Sequence, residues 1–272
     1  MSKNLKIGTF AIPKVASSIM GYDPYWQAKM FIRDANITNA TQISAINYLV
    51  KQLVDNNLIG KFNFIYPMVG GDATRHSYNL IDTGMFRLTF NGGWTHSANG
   101  ALPNGTNAWA NTGFLPSMIT GTNNAHISYY SRTQAFATNE LIMGSRQIST
   151  HLYLRVRDQS NNAETGMPNF QVNAPIGSNS DGRGLFTGNF QSDTLRQIIK
   201  NKTILNQNTV NQPIVKNSLP VYIGAYNADS TASFFTNKEC AFASIGNGMS
   251  NIEQGLFYDI VQGFQTILGR NV

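Results

Sequence analysis

Side chains that could do chemistry are few and scattered in this chain. The 272 residues include only 14 Asp and Glu, and the glutamates are Glu140, Glu164, Glu239 and Glu253. Glycosidic cleavage usually needs two carboxylates about 5 to 10 Å apart. No strand-like run carries two carboxylates at positions i and i+2, the spacing that would place both on one face of a strand. We therefore expect no catalytic residues and no enzyme activity.

Nucleophiles, metal ligands and phosphate loops are equally sparse. The histidines stand far apart in the sequence, at His76, His96, His126 and His151. With the one cysteine, Cys240, they show no zinc-ligand spacing, and no serine lies in a nucleophile-elbow pattern. No Asp-rich loop suggests calcium. We expect no cofactor and no metal site.

The charge and composition of the chain argue against nucleic acid and membrane as partners. The net charge is +6, but Lys and Arg are spread along the chain, so we predict no nucleic-acid partner. Charged residues make up only 12% of the chain, against roughly a quarter in ordinary proteins. No apolar run suggests a signal peptide or a membrane span. Cys240 lies in an apolar run, which predicts a buried free thiol.

Helical periodicity appears on both sides of a long β-like region. Apolar residues of 41–58 recur at helical spacing, with Thr41 as the predicted N-cap. Ser250 and Glu253 form the capping-box pattern, and apolar residues then recur every four positions. We predict an amphipathic helix near the N-terminal side and a second helix at the C-terminus.

Short apolar runs broken by Asn, Gly and Pro occupy the region between these helices. The predicted strands are 62–66, 86–90, 127–130, 152–156, 170–172, 198–205, 221–225 and 240–245. Residues 86–90 and 152–157 alternate apolar and polar side chains, as antiparallel strands with one buried face do. Asn201-Lys202 predicts a hairpin turn. The pattern indicates a mostly β chain, a sandwich or a barrel.

The N-terminal segment 1–37 is apolar without a regular period. We predict that it is an attachment arm, and that residues 38–272 form one domain. Tyr25 and Trp26 are candidates for an assembly interface, because an aromatic pair anchors a protein contact effectively. The alternative is that both rings pack within the chain.

Two segments resemble the end of a concanavalin A-like (laminin G-like) jelly roll. Residues 220–227 resemble its penultimate conserved strand. Residues 242–253 resemble its last strand and the short Ser-x-x-Glu helix start that follows. The resemblance implies an antiparallel concanavalin A-like jelly-roll sandwich with the two predicted helices beside it.

Further segments resemble a module of bacteriophage tail, head-fibre and capsid-associated proteins. The segments are 65–71, 90–109, 126–133 and 264–270. This resemblance spans residues 40–272 and implies a non-enzymatic virion structural protein, either a capsid decoration or head-fibre protein or a tail protein. Such a protein is made in the host cytoplasm, assembles with other virion proteins, and forms homo-oligomers of cyclic symmetry.

The alternative function is a carbohydrate-binding adhesin that recognises the host surface. Aromatic rings stack on the apolar faces of sugars, and amides contact the hydroxyls. The candidate glycan contacts are Trp94, Asn104, Trp109 and Tyr130. The opposing interpretation is that Trp94 and Trp109 fill the core of the sandwich, where large aromatic side chains are common.

Overall fold

The computed structural model describes residues 23–136, 138–168 and 173–272. Its α-helices are α1 (Trp26–Asp34), α2 (Ala40–Asp55), α3 (Ala73–His76) and α4 (Asn251–Ile267). Its strands are β1 (Phe62–Tyr66), β2 (Thr89–Asn91), β3 (Trp94–Ser97), β4 (Gly100–Pro103), β5 (Trp109–Asn111), β6 (Ala125–Ser131), β7 (Met143–Gln147), β8 (Thr150–Arg155), β9 (Asn162–Gly166), β10 (Ile176–Ser178), β11 (Gly184–Ser192), β12 (Leu195–Lys200), β13 (Thr203–Asn208), β14 (Tyr222–Ile223), β15 (Tyr226–Ala228), β16 (Thr231–Ser233) and β17 (Cys240–Gly246). Single 3₁₀ turns lie at Ile59–Lys61 and Pro116–Met118.

Within the described ranges the strands form two sheets. The inner sheet has the order β13-β12-β11-β6-β17-β4-β3, with β1 also paired to β17. The outer sheet has the order β10-β9-β8-β7-β14-β5-β2, with β15 joining β7 and β16. The two sheets are antiparallel apart from the parallel β15–β7 pair. The predicted mostly β, antiparallel fold is confirmed.

One hydrophobic core lies between the two sheets. The inner sheet contributes Tyr129 and Ile245, and the outer sheet contributes Leu152, Leu154 and other alternate residues. Cys240 also belongs to this core and is fully buried as a free thiol, as predicted.

A second core lies on the opposite face of the inner sheet, beneath the helices. Tyr130 and Phe242 of the inner sheet pack there with Phe31 of α1, Leu49 of α2 and Phe264 of α4. The molecule therefore has three layers, and the inner sheet is buried on both faces.

The helix ends show where the capping predictions hold. The side chain of Asn39, not Thr41, caps α2 by accepting the Gln42 amide at 3.1 Å. Asparagine is a common N-cap because its side chain is short enough for the oxygen to accept a backbone amide of the first helical turn. In α4 the predicted capping box is confirmed, with Ser250 and Glu253 each bonding the other's backbone.

Most predicted strands are present, with shifted ends. The Asn201-Lys202 turn joins β12 and β13 as predicted. The prediction over 86–90 is wrong for its first part, because Phe86 has a φ of 55° and only Thr89–Asn91 forms a strand. The prediction over 170–172 lies outside the described residues.

Residues 23–37, the described part of the predicted arm, pack on the domain. Phe31 is 0% exposed and Ile37 is 4% exposed, both within the helical layer. The helix α1 was missed because its nine residues bury only Ala28 and Phe31, too few to show a period. The attachment role of residues 1–37 stays a prediction.

Arg270 joins the C-terminal segment to the start of the sandwich. Its guanidinium donates to the carbonyls of Pro67 (2.6 Å), Met68 (2.7 Å) and Ala241 (2.7 Å), and to Gln265 Oε1 (2.6 Å). A longer bond of 3.2 Å reaches the Ala98 carbonyl. Arg270 is 1% exposed, and burial lowers its pKa to about 9, so it is still charged at neutral pH.

Candidate functional site

Trp109 lies on the outward face of the outer sheet. Its strand β5 points Ala110 into the core between the sheets, so the neighbours Trp109 and Asn111 point the other way. The Trp109 ring is half-buried and packs on Tyr222, with 4.3 Å between ring centroids and 31° between ring planes. Tyr222 is 6% exposed, and burial raises its pKa. Trp109 is thereby held as a fixed aromatic surface.

Polar side chains of the neighbouring strand β2 share this face. Asn91 lies opposite Trp109, and Thr89 lies opposite Asn111, and directly opposed residues of an antiparallel pair point to the same side. Asn91 Nδ2 donates to the Thr89 carbonyl at 3.0 Å. We call this surface the outer-sheet patch, and its members are Thr89, Asn91, Trp109, Asn111 and Tyr222.

The outer-sheet patch offers both an aromatic face and free hydrogen-bonding groups. The amide oxygen of Asn111 accepts from the Gly113 backbone at 2.9 Å, which fixes the direction of its side chain. Among the described hydrogen bonds, none uses Asn111 Nδ2 or the Thr89 hydroxyl. The patch can therefore donate to, and accept from, the hydroxyls of a ligand stacked on Trp109.

Trp94 lies behind the same strands, on the core side. Its ring packs edge-on against Phe90, with 5.2 Å between centroids, and close to Gly224. Its indole nitrogen donates to the Asn91 carbonyl at 3.0 Å and reaches the Trp109 carbonyl at 3.4 Å. Trp94 thus supports the outer-sheet patch from inside, and the core interpretation fits it better than glycan contact.

Asn104 is committed to its own loop. Its amide oxygen accepts the backbone amides of Thr106, Asn107 and Ala108 at 3.0, 3.1 and 3.2 Å. Its Nδ2 donates to Asn107 Oδ1 at 2.8 Å. The side chain is exposed, but its acceptor is fully used in holding the turn, which leaves little for a ligand.

Tyr130 lies apart from the other candidates and is 0% exposed, beneath the helical layer. Its hydroxyl donates to Gln262 Oε1 at 3.0 Å and accepts the Val272 amide at 2.9 Å. A ligand on the surface cannot reach this ring, so the structure contradicts the glycan-contact prediction for Tyr130. The side chain holds the C-terminal segment instead.

The two aromatic residues predicted at the assembly interface differ in exposure. Trp26 is 43% exposed on α1. Tyr25 is half-buried, and its hydroxyl donates to Asp55 Oδ1 at 2.9 Å. Tyr25 therefore packs within the chain, while Trp26 keeps a surface that a partner could contact.

Each of the four glutamates already has a cationic partner. Glu140 pairs with Lys238 at 2.6 Å and Glu164 pairs with Arg155 at 2.6 Å. The remaining pairs are Glu239 with Arg132 at 3.8 Å and Glu253 with Lys61 at 3.0 Å. The first two pairs are buried, so their carboxylates act as structural ions, one between β8 and β9 and the other in the segments that precede β7 and β17.

Two histidines that are far apart in the sequence meet in the structure. The Nδ1 atoms of His76 and His96 lie 2.9 Å apart, although 20 positions separate the two residues in the sequence. His76 Nε2 accepts the Gly71 amide at 3.3 Å, so its Nδ1 carries the proton and donates to His96. Burial lowers the pKa of His76 to about 3. No third His, Cys, Asp or Glu joins them as a metal group among the described residues.

Known proteins resemble this chain in structure and not in sequence. No protein-family model matches the sequence, and no curated protein matches it. Domain 4 of AbnA, a GH43 extracellular arabinanase from Geobacillus stearothermophilus, in complex with arabinotriose, matches with a TM-score of 0.50, 11% identity, 74% of this chain and 98% of that chain. A structure of botulinum neurotoxin type C, described as dependent on two ganglioside molecules for cell entry, matches with a TM-score of 0.53, 10% identity, 76% of this chain and 53% of that chain.

The shared feature is the fold. This chain is a jelly-roll type β-sandwich, consistent with the predicted concanavalin A-like class. A mutant of NanB sialidase from Streptococcus pneumoniae also matches, at a TM-score of 0.44 and 10% identity over 52% of this chain, but the match spans only 24% of that longer chain. In the described part of the chain, no helix has the length and apolar character needed to cross a membrane.

Sequence reasoning found Trp109 but missed its surroundings. The other members of the outer-sheet patch are Thr89, Asn91, Asn111 and Tyr222, and none of the four was a predicted site residue. The alternation of core and outward side chains in two short segments could have identified these residues. Buried Ala110 lies between Trp109 and Asn111, and buried Val221 and Ile223 lie on either side of Tyr222. Strands of two or three residues are too short for that alternation to stand out.

Proposed function

We propose that this domain binds carbohydrate and does so without catalysis. The observation that carries the proposal is the half-buried Trp109 ring, fixed on Tyr222 and flanked by the amides and hydroxyl of the outer-sheet patch. An aromatic surface with polar groups at its rim matches a sugar ring, which has apolar C–H faces and hydroxyl edges. The buried ion pairs of Glu140 with Lys238 and of Glu164 with Arg155 commit these two carboxylates to the fold.

The structural likenesses support the same proposal at the level of fold. The arabinanase domain is named as a complex with arabinotriose, and the botulinum neurotoxin structure is named for its gangliosides. Fold alone does not determine function, so the ligand of this chain must be tested directly.

A glycan array followed by titration calorimetry tests the proposal. We expect the wild-type protein to bind at least one saccharide, and Trp109→Ala to weaken that binding about tenfold or more, the equivalent of roughly 1.4 kcal/mol. Trp26→Ala is the matched control, because Trp26 is exposed on the helical layer and should leave affinity unchanged. Circular dichroism must show that Trp109→Ala is folded. Absence of any saccharide binding by the wild type would refute the function.

We also propose that the domain is part of a virion and acts there as an adhesin beside its structural role. This proposal rests only on the resemblance of residues 40–272 to phage structural modules. Mass spectrometry of purified particles tests it, and absence of the chain from the particles would end it. Light scattering of the isolated protein tests the expected homo-oligomer.

A further inference from the structure

A cleft of about 500 Å³ opens between the end of α1 and α3, and none of its lining residues belongs to the outer-sheet patch. We call it the α1–α3 cleft. Its lining residues are Asp34, Ala35, Asn36, Asp72, Ala73, Thr74, Arg75 and Tyr78. Sites for small molecules typically measure about 300 to 1,000 Å³, so the cleft is large enough for a ligand.

Bonds across the cleft hold its two walls in place. Arg75 on α3 donates through Nε to the Asn36 carbonyl at 3.3 Å, which connects α3 to the turn after α1. Asp72 accepts the Arg75 backbone amide at 2.9 Å and also pairs with its side chain. Arg75 packs directly over Gly70, where an added Cβ would lie 2.3 Å from Arg75 Cδ. The polar groups of the cleft are therefore positioned before any ligand arrives.

The charges that line the cleft nearly cancel. Asp34 and Asp72 contribute two carboxylates, and Arg75 contributes one cation. Arg33 pairs with Asp34 at 2.7 Å from outside the lining, and this hydrogen bond keeps the pKa of Asp34 below its usual value. A cleft with balanced ionised groups favours neither an anion nor a cation. It favours a neutral ligand with many hydroxyls.

Hydrogen-bonding capacity remains free beside these ion pairs. In the described part of the chain, no hydrogen bond involves the side-chain amide of Asn36 or the hydroxyl of Thr74. The exposed methyl group of Ala73 adds apolar surface, while Ala35 is only 2% exposed and the Arg87 guanidinium stacks on the Tyr78 ring at 3.8 Å. A sugar hydroxyl can donate to a carboxylate and accept from a guanidinium at once, so an Asp–Arg pair beside small apolar groups suits a saccharide.

We propose that the α1–α3 cleft is a second saccharide subsite that takes a neutral sugar residue, an inference that rests on the proposed carbohydrate-binding function. The two sites then give the domain a stoichiometry of two for a short oligosaccharide. Longer chains that reach both sites bind more tightly, because the second contact becomes intramolecular.

Titration calorimetry on the full chain tests this proposal. The probes are neutral oligosaccharides from the array, arabinotriose among them, with α2,3-sialyllactose as the acidic comparison. The cleft variant is Asn36→Gly/Thr74→Ala, because glycine tolerates the φ of 49° at position 36. The matched control is Asn57→Gly/Thr122→Ala, in which the asparagine has a φ of 57° and both side chains are exposed.

The expected result is two sites for a neutral trisaccharide in the wild type and the control. The cleft variant should retain one site, and Trp109→Ala should retain the other. If a neutral saccharide binds and the cleft variant keeps full stoichiometry and affinity, the cleft proposal is overturned while the proposed function stands. Binding of acidic saccharides alone would also overturn it. If no saccharide binds at all, the proposed function itself fails.

Discussion

Replacing Arg270 with methionine should destabilise the whole domain. The guanidinium links the C-terminal segment to carbonyls 202 and 203 residues earlier in the chain, at Met68 and Pro67. Methionine replaces the aliphatic stem of arginine, but it ends before the guanidinium and donates no hydrogen bond. The substitution therefore removes the donors while it keeps the packing of the stem.

The structure gives the size of the effect. The carbonyls of Pro67 and Met68 would lose a buried donor, and a buried acceptor left without a partner costs about 1–3 kcal/mol. The Ala241 carbonyl keeps a bond from Gln265 Nε2 at 3.3 Å, so it contributes less. Removing the buried charge recovers part of the loss, since burial had already lowered the Arg270 pKa to about 9. We expect the free energy of unfolding to fall by about 3 kcal/mol.

Urea unfolding followed by circular dichroism measures this change, provided that the m-value is unchanged. Arg183→Met is the control, because Arg183 is 42% exposed in its pair with Asp181 and should cost less than about 1 kcal/mol. An Arg270→Met protein within 1 kcal/mol of the wild type would show that water or a rearranged loop satisfies these carbonyls. The reasoning about Arg270 would then be wrong.

Three further predictions concern buried ionisable groups. Burial lowers the pKa of His126 and His151 to about 4. Between pH 6.5 and pH 4 both histidines are therefore protonated in the unfolded chain and neutral in the folded chain. The free energy of unfolding should therefore fall by about 1.4 kcal/mol per pH unit for each histidine as the pH is lowered from 6.5 to 4. In His126→Gln this slope should be smaller by the share of one histidine. A free energy of unfolding that does not change over this pH range would contradict the prediction. Burial raises the pKa of Cys240 to about 12, so a thiol reagent should label it only in denaturant, and rapid labelling of the native protein would show that the sandwich opens. Lys238→Met should cost about 3–5 kcal/mol in urea unfolding because it leaves Glu140 buried without its cation, and an unchanged midpoint would disprove this.

The sequence was sufficient for the elements whose signals are local. The helix α2 and the helix α4 follow from apolar spacing over four turns, and the β12–β13 hairpin follows from Asn201-Lys202. Residue 201 has a φ of 56°, which asparagine tolerates better than most residues. Each of these elements depends on residues close together in the chain.

The features that the sequence did not predict depend on contacts between distant segments. Tyr130 was predicted to contact a glycan only because its ring is of a type that stacks on sugars, and the sequence does not report which side chains the helices cover. The helices cover its face of the inner sheet, so Tyr130 is 0% exposed. The α1–α3 cleft and the meeting of His76 with His96 likewise depend on tertiary placement, which periodicity does not report.

The shared inner sheet makes the two cores one cooperative unit. Tyr129 and Tyr130 are adjacent in one strand, and each packs in a different core. Detachment of the helices would therefore expose an apolar face of the inner sheet to water and destabilise strands that also form the sandwich. We expect the domain to unfold in a single transition and to tolerate no version trimmed of its helices. Substitutions on the outward face of the outer sheet and at exposed positions of the loops are therefore the ones that leave both cores undisturbed.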